Sequence, residues 1–173
     1  MYTEYKNKYA IFVDIDGVLT NWRVHFAHNA SYKMWARFDP VAIDFFNKIH
    51  DEYNVEFIIT STWKNYINEE DMTIYHWVQS AFANSGFRGR IANPWKTNEI
   101  NSAKNYMERG NEIKDYIDRY GEKYSDFIIF DDTPSNINEF FPCRFIQTDP
   151  NNGITWENMI EAYDDIINFW EKK

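Results

Sequence analysis

Ala10-Ile11-Phe12-Val13-Asp14-Ile15-Asp16-Gly17 decides how the rest of the chain is read. Four apolar residues lead straight into two carboxylates and a glycine. A short apolar run of this kind reads as a buried strand. Gly17 lets the chain turn sharply just after the acids.

Outward from that stretch, strand and helix patterns alternate. Asp39-Pro40 starts a helix, with Asp as the cap and Pro at the first helical position. Val41, Phe45, Phe46 and Ile49 follow at helical spacing. Val55 to Ile59 reads as a second strand, ending in Thr60-Ser61-Thr62. Ile74, Trp77, Val78, Ala81 and Phe82 mark an amphipathic helix stopped by Gly86. A weak third strand is expected over Arg88 to Ala92, and then a polar active-site loop over about 93–108. Asn111 is expected to cap a helix carrying Ile113, Tyr116, Ile117 and Tyr120. Phe127 to Phe130 reads as a strand ending in Asp131-Asp132, and Arg144 to Gln147 as a last short one. Met159, Ile160, Tyr163, Ile166, Ile167 and Trp170 give a closing helix.

Alternation of this kind predicts an α/β fold, a central parallel sheet of about five strands flanked by helices. In such sheets ligands sit beyond the C-terminal strand ends. Three strands here end in polar clusters: Asp14 with Asp16, Thr60-Ser61-Thr62, and Asp131-Asp132.

Those clusters suggest phosphate chemistry. Two carboxylates held close repel unless a cation or a proton lies between them. Mg²⁺ takes hard oxygen ligands and commonly uses carboxylates together with a substrate phosphate. Asp14, Asp16, Asp131 and Asp132 are therefore expected to form one metal site over two strand ends. The hydroxyls and N–H groups of Thr60 and Ser61 suit phosphate oxygens. A cation is also needed against the charge on a transferring phosphoryl group. Arg109 and Lys114, at the start of the helix before the Asp-Asp strand, are the candidates.

The bulk numbers bound the rest. The chain has 173 residues, 44% of them hydrophobic and 19% aromatic, enough for one domain with a buried core over residues 1–173. The N-terminus has no apolar stretch and no run reaches the roughly 18 residues of a membrane span, so no secretory signal and no membrane are expected. Cys143 is the single cysteine, which fits a reducing cytoplasm. A net charge of −9 argues against gripping an extended duplex. The charge is uneven, however. Asn21 to Phe38 carries Arg23, Lys33 and Arg37 and no acid, and Gly86 to Met107 carries Arg88, Arg90, Lys96 and Lys104 against Glu99 alone.

The motifs resemble those of the haloacid dehalogenase (HAD) superfamily. IFVDIDGVLT resembles its first motif, FIITST its second and FIIFDDTPSNI its fourth. FDPVAIDFFNKIHDEYNVEFIITSTWK, RGNEIKDYI and QTDPNNGIT extend the likeness to a small capless branch. That branch is similar to the domain of Swiss-army-knife RNA repair proteins and of many phage and bacterial phosphatases. The resemblance implies a Rossmann-like fold, with Asp14 as nucleophile and Asp16 as acid/base. It implies Mg²⁺ held by Asp14, the backbone carbonyl of Asp16 and Asp131, with Asp132 as a further ligand or a support. The phosphate-binding hydroxyl aligns as Thr60 from the strand end and as Ser61 from Trp63. The third-motif cation best matches Arg109, with Lys114 and Lys104 as alternatives. Asp16 favours phosphoryl transfer over dehalogenation. About forty residues separate the first two motifs, room for a flap over about 17–38 and no large cap.

Both basic stretches follow strands and so flank the mouth of the site, and both carry aromatic residues. Arg23, Lys33, Lys96 and Trp95 are the candidate substrate contacts, suited to a phosphorylated base or nucleic-acid end. A phosphorylated sugar or other small metabolite is the alternative substrate. A non-catalytic binding or regulatory protein on the same fold is the alternative function.

Overall fold

A computed structural model describes residues 7–27, 38–66, 73–98 and 108–172. Five strands form one sheet: β1 (Tyr9–Val13), β2 (Val55–Ile59), β3 (Arg90–Lys96), β4 (Asp126–Asp131) and β5 (Phe145–Gln147). Every pairing is parallel, and the order is β3-β2-β1-β4-β5. The helices are α1 (Trp22–Ala27), α2 (Pro40–Glu52), α3 (Thr73–Asn84), α4 (Arg109–Tyr120), α5 (Ile137–Phe140) and α6 (Trp156–Asp165). This is the Rossmann-like sheet that the sequence predicts. Among the described residues no cap domain stands over it, and no helix is long and apolar enough to cross a membrane.

Side chains alternate across β1, and the two faces pack separately. Tyr9, Ile11 and Val13 join Phe46, Phe57 and Phe130 in the larger core, against α2, α3 and α6. Ala10 and Phe12 join Ile58, Ile129 and the α4 residues Ile113 and Tyr116 in the smaller one. Both faces of β1 are thus buried, which is why its sequence is unbroken hydrophobic rather than alternating.

Asp39 caps α2, accepting a hydrogen bond from Val41 N at 3.0 Å, with Pro40 at the first position. Thr155 and Asn158 close a capping box at the start of α6. Elsewhere the boundaries differ from expectation. β3 begins at Arg90 and runs through Trp95 to Lys96, because a register irregularity opposite Phe57 and Ile59 accommodates residues that read as loop. α4 starts at Arg109, ahead of Asn111, with Glu108 in the cap position. The expected flap contains α1. Val78, Ala81 and Phe82 of α3 are buried, whereas the side chains of Ile74 and Trp77 lie outside the described residues. In the closing helix Ile166 and Trp170 are buried, but Ile160 and Ile167, seven residues apart on one stripe, face solvent.

Candidate active site

Sheet register alone brings three polar side chains together. Val13 pairs with Ile59 on one side and with Phe130 on the other. The next residue on each strand is Asp14, Thr60 or Asp131. Backbone bonds continue the ladder: Asp14 N donates to Phe130 O at 3.0 Å, and Thr60 N donates to Val13 O at 3.0 Å. By alternation these three fall on the face of Phe12, Ile58 and Ile129, which is the face α4 covers. Arg109, the first residue of α4, reaches all of them. Its Nη1 lies 2.9 Å from Asp131 Oδ2, 3.1 Å from Thr60 Oγ1 and 3.3 Å from Asp14 Oδ1.

Asp14, Asp131 and Asp132 offer carboxylate oxygens that all lie within 4.8 Å of one another. Asp14 and Asp131 are buried and Asp132 is half-buried. Asp14 Oδ1 is buried, and its ion pair with Arg109 at 3.3 Å is longer than that of Asp131 at 2.9 Å. Asp131 Oδ1 accepts from Thr133 N at 2.9 Å. Burial, and next the charge of Asp14, push the Asp131 carboxyl up to about 7. Burial likewise raises Asp132, opposed by a hydrogen bond from Thr133. Three hard oxygen donors, gathered within 4.8 Å and offset by one guanidinium, fit a divalent cation such as Mg²⁺.

Asp16 corrects the four-carboxylate site expected from the sequence. The strand ends at Val13, and the N–H groups of Val18, Leu19 and Thr20 all turn back to Ile15 O. Strand alternation therefore does not extend to Asp16, and its side chain stands outside the carboxylate cluster, exposed. There Asp16 Oδ2 accepts from Trp63 Nε1 at 2.7 Å and Oδ1 from Thr20 Oγ1 at 3.1 Å. Burial of part of its surface raises the Asp16 carboxyl, the Trp63 hydrogen bond lowers it, and the charge of Asp14 adds to the rise.

Of the two hydroxyls left open, Thr60 Oγ1 accepts from Arg109 beside the cluster. Ser61 Oγ accepts from Trp63 N at 3.3 Å, a local turn contact. Lys114 is not brought to the site: it pairs with Asp118 on the surface of α4. Lys33 and Lys104 lie outside the described residues. Arg23 binds Asp39 at 2.6 Å, Lys96 Nζ points at Lys64 O at 3.5 Å, and Trp95 packs against the larger core.

Lys64, Glu112 and Trp63 escaped the sequence reading. Lys64 is 2% exposed and donates to Glu112 Oε2, to Thr97 Oγ1 at 2.9 Å and to Thr60 O at 3.0 Å. Burial lowers the Lys64 ammonium, and the charge of Glu112 draws it back up. The available signal was Glu112 itself, a charge on the helix face of Ile113 and Tyr116 that needs a buried partner.

Beside the cluster opens a cleft of about 280 Å³ whose walls include Asp16, Asp132, Trp22, Val24, His25 and Trp63. Neither Arg23, Lys96 nor Trp95 lines it.

Compared with known families, residues 10–159 match the one described as the HAD domain in Swiss Army Knife RNA repair proteins. No curated protein and no solved structure gave a match. The family match spans most of the chain, and the parallel sheet with acids at its strand ends agrees with it: the chain belongs to the HAD domain family of Swiss Army Knife RNA repair proteins.

Proposed function

We propose that the protein is a Mg²⁺-dependent phosphohydrolase that works through a phosphorylated Asp14, on a nucleotide or a phosphorylated nucleic-acid end. One observation carries this reading. Asp14, buried, lies with Asp131 and Asp132 in one cluster of carboxylates, and Arg109 is the cation beside it. Three clustered carboxylates carry more negative charge than one guanidinium offsets, and a divalent cation balances the rest.

Asp14, Asp131 and Asp132 would hold the cation, which supplies charge against the phosphoryl oxygens when bound. Asp14 attacks phosphorus, the bond to the leaving oxygen breaks, and Asp16 gives that oxygen its proton. Asp16 then takes a proton from the water that attacks the phospho-aspartate. The Asp14–phosphorus bond breaks, and phosphate leaves. Arg109 neutralises Asp14 and Asp131 and offers a guanidinium to the phosphoryl group. Thr60 Oγ1 accepts from Arg109, which leaves its own hydrogen to donate to a phosphoryl oxygen. The Trp63 and Thr20 hydrogen bonds fix the direction of the Asp16 carboxyl. The RNA repair setting of the family and the aromatic residues of the cleft support a nucleotide-bearing substrate.

The test is hydrolysis of an aryl phosphate with Mg²⁺ by the wild type, Asp14→Asn and Asp16→Asn. Turnover that needs Mg²⁺ and disappears in Asp14→Asn is expected. An Asp14→Asn variant as active as the wild type would overturn the nucleophile, and no turnover of any phosphate ester would overturn the reaction. A panel of nucleoside monophosphates, phosphorylated oligonucleotides and sugar phosphates reads the substrate; preference for sugar phosphates would refute the nucleotide half.

A further inference from the structure

The cleft beside Asp16 has a composition that says what it takes. Asp16 and Asp132 form one part of its wall, and Thr20 lies with them. Because Asp132 belongs to the carboxylate cluster, this part of the wall adjoins that cluster. The rest of the wall includes Trp22, Val24, His25 and Trp63. Trp22 is 51% exposed although it is a large aromatic residue. Its ring meets that of His25 edge-on, with centroids 5.1 Å apart. Trp63 is held from both sides: its ring packs on the larger core, and its N–H is given to Asp16. Among the described residues no Lys or Arg lines the cleft.

We propose that this cleft is the leaving-group subsite and that it takes one nucleoside, its sugar beside Asp16 and Thr20 and its base on the Trp22 and Trp63 rings. The proposal rests on the phosphohydrolase reading and deepens it. Asp16 is the group that protonates the leaving oxygen, so whatever carries that oxygen must lie against Asp16. It must be polar where it meets the carboxylates and flat and apolar further out. A nucleoside has that order of parts. Base–aromatic stacking supplies affinity for any base, because every base has a π-face. Among the described residues the wall would offer a second phosphate the carboxylates of Asp16 and Asp132, which favours an uncharged unit there. The volume of about 280 Å³ is near the lower end of the roughly 300–1,000 Å³ range of ligand pockets, room for one such unit. Two sources present the same terminal nucleoside, a free mononucleotide and the phosphorylated end of a chain.

The experiment compares kcat/KM, with Mg²⁺, for the 3′- and 5′-monophosphates of single nucleosides, the matching phosphorylated oligonucleotides, ribose 5-phosphate, glycerol phosphate and phosphotyrosine. Esters of nucleosides should exceed ribose 5-phosphate and glycerol phosphate by about tenfold or more, the scale of one base stack. In Trp22→Ala that selectivity ratio should fall by a similar factor, and Trp22→Phe should restore most of it. The ratio of mononucleotide to oligonucleotide rates identifies the source. Equal rates for ribose 5-phosphate and nucleotides, a preference for phosphotyrosine, or an equal drop for all esters in Trp22→Ala would each overturn the subsite. A second readout needs no turnover: the indole N–H resonance of Trp22, assigned by its loss in Trp22→Phe, should shift when a nucleoside monophosphate is added to Asp14→Asn. That shift without hydrolysis of any ester by the wild type sinks the phosphohydrolase reading alone. Hydrolysis with no shift sinks the subsite alone.

Discussion

Asp14 is where it is because Val13 is in register with Ile59 and Phe130, and each neighbouring strand then contributes its next residue. Gly17 completes the arrangement from the other side. Its φ is +74°, and a Cβ there would come within 2.5 Å of Cβ and Oδ2 of Asp132. Gly17→Ala is therefore strained in the backbone and displaces Asp132 from the cluster. Because the clash falls on a carboxylate proposed to hold the cation, Mg²⁺ affinity should drop by about 10- to 100-fold, the usual cost of disturbing a ligand's support. Calorimetric titration with Mg²⁺ checks this; unchanged affinity would mean that Asp132 is not a ligand. Asp14, Asp131 and Asp132 were legible in the sequence because two apolar strand runs both end in acids, and strand ends of a parallel sheet share one edge. Asp16 was legible as a residue but not as a place. Where the strand ends was hidden, and with it the side of the chain to which the carboxyl turns. Trp63 was invisible as a partner of Asp16, since 47 residues separate them and only the parallel sheet brings the loops together.

At the scale of elements, the site depends on how α4 is fastened to the end of β2. Lys64, in the short 3₁₀ turn Thr62–Tyr66, and Glu112, in α4, form a buried ion pair that also ties in Thr97 after β3 and the carbonyl of Thr60. Breaking one partner of a buried pair leaves the other charge unpaired, at about 3–5 kcal/mol. Lys64→Met should lose stability on that scale. The double variant Lys64→Met/Glu112→Leu should recover more than half of it, because removing both charges removes the burial penalty as well. Urea unfolding followed by circular dichroism measures both. A double variant as unstable as the single one would show that the bonds to Thr60 and Thr97, rather than the charge balance, make the fastening. The alternation of elements was readable from hydrophobic spacing, whereas this clamp was not. Lys64 sits among polar residues in the chain, and only the packing of α4 against the sheet makes its site dry. The extent of β3 was missed for a related reason: its polar and proline-containing sequence follows the sheet through an irregular register rather than through a hydrophobic pattern.

The whole molecule gathers negative charge at one end of its sheet while already carrying a net charge of −9. Three carboxylates within 4.8 Å of one another repel, and Arg109 offsets only part of that. Folding thus assembles a strained cluster that a divalent cation relieves. A cation that binds the folded chain and not the unfolded one stabilises it by about 2.7 kcal/mol at a hundredfold excess over Kd. At about 2–4 °C per kcal/mol for a chain of this size, saturating Mg²⁺ should raise Tm by about 5–10 °C, and EDTA should reverse it. Asp14→Asn separates this from an ordinary structural role. With one charge gone, the ion-free variant should melt no lower than the ion-free wild type, and added Mg²⁺ should move it by at most a degree or two. Thermal scans of both proteins with and without Mg²⁺ decide the matter. If ion-free Asp14→Asn instead melts well below the wild type, the Arg109–Asp14 pair serves the fold first. If Mg²⁺ leaves the wild type unmoved, the cluster does not bind this ion.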